Sequence, residues 1–186
     1  MTQQAIRGFE VITKYQNETI NLPKRATHHA AGYDIEAAET VVLPSYWRLL
    51  ITYFLKDMKQ WIFQHPMESK SKEAIKIETL VKPTLIPTGL KAYCMEDEYY
   101  MLINRSSGPK KGLLMANSIG IIDADYYGNE SNDGHFFFQY FNCSDHDIEI
   151  KKGDVIGQVI FQKFLITDDD KAEGIRKGGI GSTDKK

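Results

Sequence analysis

An all-β barrel or sandwich is the fold class this sequence predicts, on three observations. Short segments rich in Val, Ile, Tyr and Phe recur along most of the chain. Turn-forming residues separate them. Segments of helical periodicity are nearly absent, and many short strands with little intervening helix bury their apolar faces against one another in a barrel or sandwich.

The segments follow in order. The predicted strands are Gly8–Thr13, Tyr33–Leu43, Thr84–Tyr93, Glu98–Ile103, Ile119–Asp123, His135–Asn142, Ile148–Ile150 and Val155–Phe164. Their boundaries carry Pro87, Gly112, Gly128, Asn132-Asp133-Gly134, Asp145-His146-Asp147 and Lys152-Gly153-Asp154. One stretch breaks the pattern. From Ser45 to His65 the apolar residues Trp47, Leu50, Ile51, Phe54, Leu55, Met58, Trp61 and Ile62 recur at helical spacing, with Ser45 placed as N-cap and Pro66 just past the end. A Lys- and Glu-rich stretch, Glu68 to Glu78, follows. The piece from about Ser45 to Leu80 is therefore expected as an insertion between two strands of a hairpin. Its apolar stripe needs cover, on the barrel, a second subunit or another protein, and packing within the protein is the favoured case.

Composition bounds the function. At 186 residues one domain, 1–186, is expected, with a core that stands without disulfides. Lys plus Arg number 23 against 25 Asp plus Glu, which leaves no global basic field for nucleic acid. Cys94 and Cys143 lie outside any metal-type spacing and read as reduced thiols of a cytoplasmic protein. The polar start is unlike a signal peptide. Arg48, Lys56, Asp57 and Lys59 interrupt the long apolar stretch from Tyr46 to Phe63, so no membrane span is expected.

Five segments carry chemistry. The first is Ala31-Gly32-Tyr33-Asp34-Ile35, entering a strand. The second, Arg105-Ser106-Ser107-Gly108, offers an arginine fork and hydroxyls suited to phosphate oxygens. Next comes Asn117-Ser118-Ile119-Gly120-Ile121-Ile122-Asp123-Ala124-Asp125-Tyr126-Tyr127-Gly128, an apolar strand that ends on a carboxylate. A carboxylate held at a strand mouth can orient and deprotonate one water; an ordinary strand running into a turn would look the same. Gly153-Asp154-Val155-Ile156-Gly157-Gln158 puts one amide, Gln158, on an apolar stretch. Last, residues 171–186 form an arm that contains Arg176-Lys177-Gly178-Gly179-Ile180-Gly181-Ser182-Thr183, too glycine-rich to pack a core but able to fold over an anion.

In this order and spacing the five segments resemble the motifs of the trimeric dUTPases, the deoxyuridine triphosphate nucleotidohydrolases. The Ile122-Asp123-Ala124-Asp125-Tyr126 core and the glycine arm are the most specific elements. The resemblance implies a jelly-roll-like β-barrel, a homotrimer with shared active sites, and Mg²⁺-assisted hydrolysis of dUTP to dUMP and pyrophosphate. Asp123 is then the residue that positions the water. Tyr126 stacks under the deoxyribose and excludes a 2′-hydroxyl. Asn117 and the backbone around Gly120 and Ile122 read the uracil edge. Ser106, with Ser107 beside it, and Gln158 contact phosphate, and Arg105 ties the phosphate site to a neighbouring subunit. Asp34 holds that arginine or its loop. Arg176, Ser182 and Thr183 grip the γ-phosphate, and no metal ligand is expected from the protein itself.

The chain departs from the family pattern at four places. Ile180 stands where the arm usually carries an aromatic ring, a difference worth roughly 0.5–1.5 kcal/mol of stacking. One residue instead of two separates Arg176 from the glycine pair, and Ser107 replaces a common glycine. The insertion is the fourth. A same-fold dCTP deaminase is the alternative enzyme, but it needs a proton-shuttling glutamate where this chain has Gln139. A regulatory homologue that binds a protein through the 45–80 insertion is the alternative of another class.

Overall fold

The computed structural model describes residues 5–63, 82–174, 176 and 178; of residues 57 and 59–63 it describes the backbone alone. The expected strand segments become β1 (Gly8–Val11), β3 (Tyr33–Glu36), β4 (Val41–Leu43), β5 (Thr84–Pro87), β6 (Leu90–Tyr93), β7 (Glu98–Ile103), β9 (Gly120–Asp123), β10 (Phe137–Asn142), β11 (Ile148–Ile150) and β12 (Val155–Lys163). Two short strands were not anticipated: β2 (Lys24–Arg25) and β8 (Leu113–Met115). Helix α1 spans Tyr46–Phe63, and a single turn, α2, spans Ser107–Lys110.

The strands pair antiparallel into four sheets, ordered β1-β6, β5-β10-β8, β11-β4 and β2-β3-β12-β7-β9. They share one core: Ile35, Leu43, Ile86, Leu90, Tyr100, Leu102, Phe136, Phe138 and Val159 are buried together. Strand β7 shows why the sequence folds this way. Its burial alternates residue by residue, so that Tyr100 and Leu102 point inward while Tyr99, Met101 and Ile103 lie on the outer face.

Two predicted long strands each divide in two. The chain leaves β3 where Ala37 N–H donates to Asp154 O (2.9 Å) and Ala38 N–H to Pro87 O (2.9 Å), and then joins β11 as β4. The Thr84–Tyr93 strand breaks at Gly89, whose φ of +68° is left-handed. That glycine's N–H donates to Nε2 of buried His135 (2.9 Å). His135 sits edge-on to Tyr15 and 4.0 Å from the Phe137 ring centre, and burial pushes its pKa down to about 4.

The insertion does not join two strands of one hairpin, as expected, because β4 pairs with β11 and β5 with β10. The expected N-cap is present: Ser45 Oγ accepts from Arg48 N–H (3.2 Å) and donates to Ser144 O (2.6 Å). Asp147 holds the same helix base through Ser45 N–H (2.8 Å) and the Arg48 guanidinium (2.5 Å). Beyond this base the apolar stripe is not covered within the described residues: Trp47 is 54% and Phe54 59% exposed, with Ile51, Leu55 and Met58 about half exposed. Glu68 to Glu78 lies outside the described residues. No described helix is long and apolar enough to cross a membrane.

Candidate active site

Strand β12 carries the first grouping. Gln158 lies opposite Asp34 on β3 and Ile103 on β7. Gln158 Nε2 donates to Asp34 Oδ1 (2.9 Å), and the same oxygen lies 3.7 Å from Arg105 Nε, just past the end of β7. Gly32 keeps this corner open, since a Cβ there would lie 3.0 Å from Gln158 Oε1. Ser106 and Ser107 are exposed at the start of α2. Arg105, Ser107, Gly108 and Lys111 help line a cavity of about 410 Å³. Gly108 is fixed by contact, because a Cβ would strike Asn104.

The second grouping stands at the far end of β9. Asp123 ends the strand 57% exposed, and Ala124–Tyr126 turn the chain. Arg176 spans the end: its guanidinium meets Asp123 Oδ2 (2.5 Å) and Asp125 Oδ1 (2.8 Å) and lies 5.8 Å from the Tyr126 ring centre. The Tyr126 ring is buried under this cover, and burial raises its phenol pKa. Asp123, Ala124 and Asp125 border a cavity of about 500 Å³ together with Cys94, Glu96, Glu98 and Phe164. At the opposite end of β9, exposed Asn117 approaches buried Gly120, where a Cβ would lie 3.2 Å from Asn117 Nδ2, and half-buried Ile122 sits between the two ends.

Strand β7 measures the separation. Tyr99 lies opposite Asp123, and Ile103 lies opposite Gln158. Four residues at about 3.3 Å and two strand spacings of about 4.8 Å put those positions on the order of 16 Å apart within one chain. The structure thus unites Asp34, Arg105 and Gln158, and separately Asp123, Tyr126 and Arg176. It does not bring the two groups together. Ile180, Ser182 and Thr183 lie outside the described residues.

Sequence reasoning missed Asp125 as the second partner of Arg176, although its two-residue offset from Asp123 on a turn was visible. It also missed two loop asparagines. Asn129 Nδ2 donates to Tyr126 O (2.9 Å), and Asn132 Nδ2 to Tyr126 Oη (2.8 Å). The expected cysteines are free thiols, with burial pushing Cys94 up to about 11.

Fold and groupings define a class: a jelly-roll-type β protein with an arginine, an amide and two serines gathered at one end of a sheet and strand-end carboxylates at the other. The dUTPase family model matches residues 69–183. The deoxyuridine 5′-triphosphate nucleotidohydrolase of Lactococcus lactis is 44% identical over 181 residues, covering 96% of this chain and 97% of its own. The crystal structure of dUTPase from Streptococcus mutans superposes with a TM-score of 0.64 at 36% identity, covering 87% of this chain and 98% of that one. A mutant dUTPase from phage phi11 of Staphylococcus aureus, described for its coordination of a structural Mg(II) ion, shares the fold at TM-score 0.56 and 18% identity, over 91% of this chain and 98% of that one. The chain belongs to the dUTPase family.

Proposed function

We propose that this protein hydrolyses dUTP to dUMP and pyrophosphate at sites assembled between three copies of the chain. The observation that carries the chemistry is the exposed Asp123 carboxylate at the mouth of β9, beside the Tyr126 ring and under the same arginine. Asp123 orients a water for in-line attack on the α-phosphorus. The water oxygen bonds to that phosphorus, the α–β bridging bond breaks, and pyrophosphate leaves with the bridging oxygen; the water's proton passes to Asp123 or solvent. Arg105, Ser106 and Gln158 receive phosphate oxygens, with Ser107 beside them and Asp34 steadying the arginine and the amide. Asn117 and the backbone at Gly120 and Ile122 read uracil, and Tyr126 packs against the deoxyribose. Its face opens when Arg176 turns to the phosphates, where Ser182, Thr183 and, over the base, Ile180 would join it.

The 16 Å scale of the separation supports the shared site, since Asp123 of one chain and Gln158 of the same chain do not reach one phosphate. A second copy supplies the missing half, and threefold symmetry closes such head-to-tail contacts. Mixing Asp123→Asn and Ser106→Ala chains, each inactive alone, then restores about a quarter of the sites in randomly mixed trimers.

Asp123 and Asp125 are matched to an arginine. Mg²⁺ would ride on the triphosphate, where water and phosphate oxygens satisfy it and it offsets charge. Gln139, half-exposed on β10, speaks against deamination, because an amide does not shuttle protons.

Pyrophosphate release from dUTP, with Asp123→Asn as control, tests the function; an intact chain that releases none overturns it. The exposed stripe of α1 supports an additional contact, to a neighbouring subunit or another protein. If the trimer and its turnover survive deletion of residues 45–80, the helix serves a partner; if the protein dissociates or aggregates, the helix belongs to the assembly.

A further inference from the structure

The loop that follows Tyr126 contains a closed set of hydrogen bonds that no motif accounts for. Tyr126 Oη donates to His135 O (3.0 Å) and accepts from Asn132 Nδ2 (2.8 Å), which also donates to His135 O (3.1 Å). Asn132 Oδ1 in turn accepts from Asn129 Nδ2 (2.7 Å) and Gly134 N–H (3.2 Å). Asn129 Nδ2 also holds the Tyr126 carbonyl (2.9 Å), and Asn129 Oδ1 accepts from Ser131 N–H, Ser131 Oγ and Asn132 N–H. Each amide uses both its donors and its oxygen. The two ends of one tyrosine are thus gripped by two side chains that also grip each other.

The backbone is bent to make this possible. Gly134 has a φ of +79°, and a Cβ there would lie 2.8 Å from Gly128 N and 3.0 Å from Tyr126 O. Asp133, also left-handed at +60°, anchors the outside of the loop: its carboxylate accepts from Thr13 N–H and Oγ (both 2.9 Å) and pairs with Lys91 (2.8 Å). Inside, the groups that fix the tyrosine are neutral amides and carbonyls, so their geometry does not vary with pH near neutrality. A fully satisfied, partly buried network of this kind around buried Tyr126 fixes one arrangement, because any displacement leaves several polar groups unpaired.

We infer that Asn132, braced by Asn129, is a positioning residue for sugar specificity: it fixes the height and tilt of the Tyr126 ring, so that the ring cannot recede to admit a 2′-hydroxyl. This rests on Tyr126 being the surface under the deoxyribose. A ring free to slide would accept a ribonucleotide; a ring pinned at its hydroxyl and its carbonyl does not.

The test is the ratio of kcat/KM for dUTP to that for UTP, measured on the full-length protein. Asn132→Ala is expected to lower the ratio about tenfold, through a higher KM for dUTP and a gain with UTP, while kcat for dUTP changes less than about threefold. Tyr126→Phe removes the hydroxyl the clamp holds and should lower the ratio similarly. In that background Asn132→Ala should add little, which a merely structural role would not produce. If Asn132→Ala reduces both substrates equally, or changes only the melting temperature, the inference is wrong. Should Asn132→Ala not fold, Tyr126→Phe alone decides, an unchanged ratio overturning the clamp. Tyr126→Ala separates the two ideas. If it leaves the ratio intact, the sugar role of Tyr126 fails; if it collapses the ratio while Asn132→Ala and Tyr126→Phe do not, only the clamp fails.

Discussion

The two ends of the five-stranded sheet are built on different principles. At the Gln158 end, charge does the arranging: one Asp34 oxygen sits between an amide and a guanidinium and holds both. At the Asp123 end, carboxylates stand more than half exposed, while the tyrosine beside them is held from behind by neutral amides. The contrast matches the two tasks proposed for these groups. Recognising phosphate needs positive charge and donors, whose energetics tolerate small shifts. Placing a water and a sugar needs fixed positions and a carboxylate open to solvent.

The sharpest way to break this comparison is Asp123→Asn. The carboxylate is exposed and, among the described residues, pairs with one arginine of the arm, so the change should lower kcat for dUTP about 10³-fold and leave melting temperature and oligomeric state unaltered. A comparable loss from unfolding would mean that Asp123 is structural. At the other end, Gln158→Ala should raise KM about tenfold with a smaller change in kcat, as expected for lost phosphate binding. Gly32→Ala should imitate it while keeping Gln158 in the sequence, because the new Cβ would press on the Gln158 side chain at 3.0–3.2 Å. If these variants change kcat and spare KM, the division of labour between the two ends is wrong.

How much of this was legible in the sequence follows from what is local. Strands β7 and β11 match the predicted spans, since a short apolar run (Tyr99–Ile103) or an apolar-polar-apolar triplet (Ile148–Ile150) between turn residues is a local signal. The Tyr33–Leu43 and Thr84–Tyr93 segments look continuous in sequence, but they divide because Ala37, Ala38 and Gly89 take partners from distant strands. Strand β8 reads Leu-Leu-Met, an apolar triplet without the alternation of β11. The site's members were readable from their order along the chain. Their placement at opposite ends of one sheet was not, because it depends on the β7 register. Asn129 and Asn132 read as turn formers, and only the folded loop turns them toward Tyr126.

Acid should act on the Asp123 end first, because His135 lies beneath it and its carbonyl anchors the clamp. The sign follows from burial. The folded ring stays neutral down to about pH 4, whereas the unfolded chain takes up a proton below about 6.5, so stability falls as pH drops through that window. Between pH 6.5 and 4.5 the loss should reach about 2 kcal/mol, read from urea midpoints at fixed protein concentration. The bonded carboxylates do not confuse the window. Glu98, lowered by its bond to Arg7, and Asp133, lowered by its bond to Lys91, begin to cost stability as the pH falls into the ordinary carboxylate range, at the lower edge of this window. A His135→Gln variant should flatten the slope; an unchanged slope would place the titrating group elsewhere.

The smallest expected effect separates the inner clamp from its outer anchor. Thr13→Val deletes one hydroxyl bond to Asp133 but keeps the backbone N–H and the Lys91 pair on the same carboxylate. With two of three contacts intact at an exposed position, the cost should be about 0.5–1 kcal/mol, seen as a small drop in urea midpoint. Turnover of dUTP and the preference over UTP should not move, because the Asn132–Tyr126 bonds do not pass through Asp133. If Thr13→Val shifts substrate preference as far as Asn132→Ala does, the loop acts as one body, and the ring is set by the whole hairpin and not by the two asparagines.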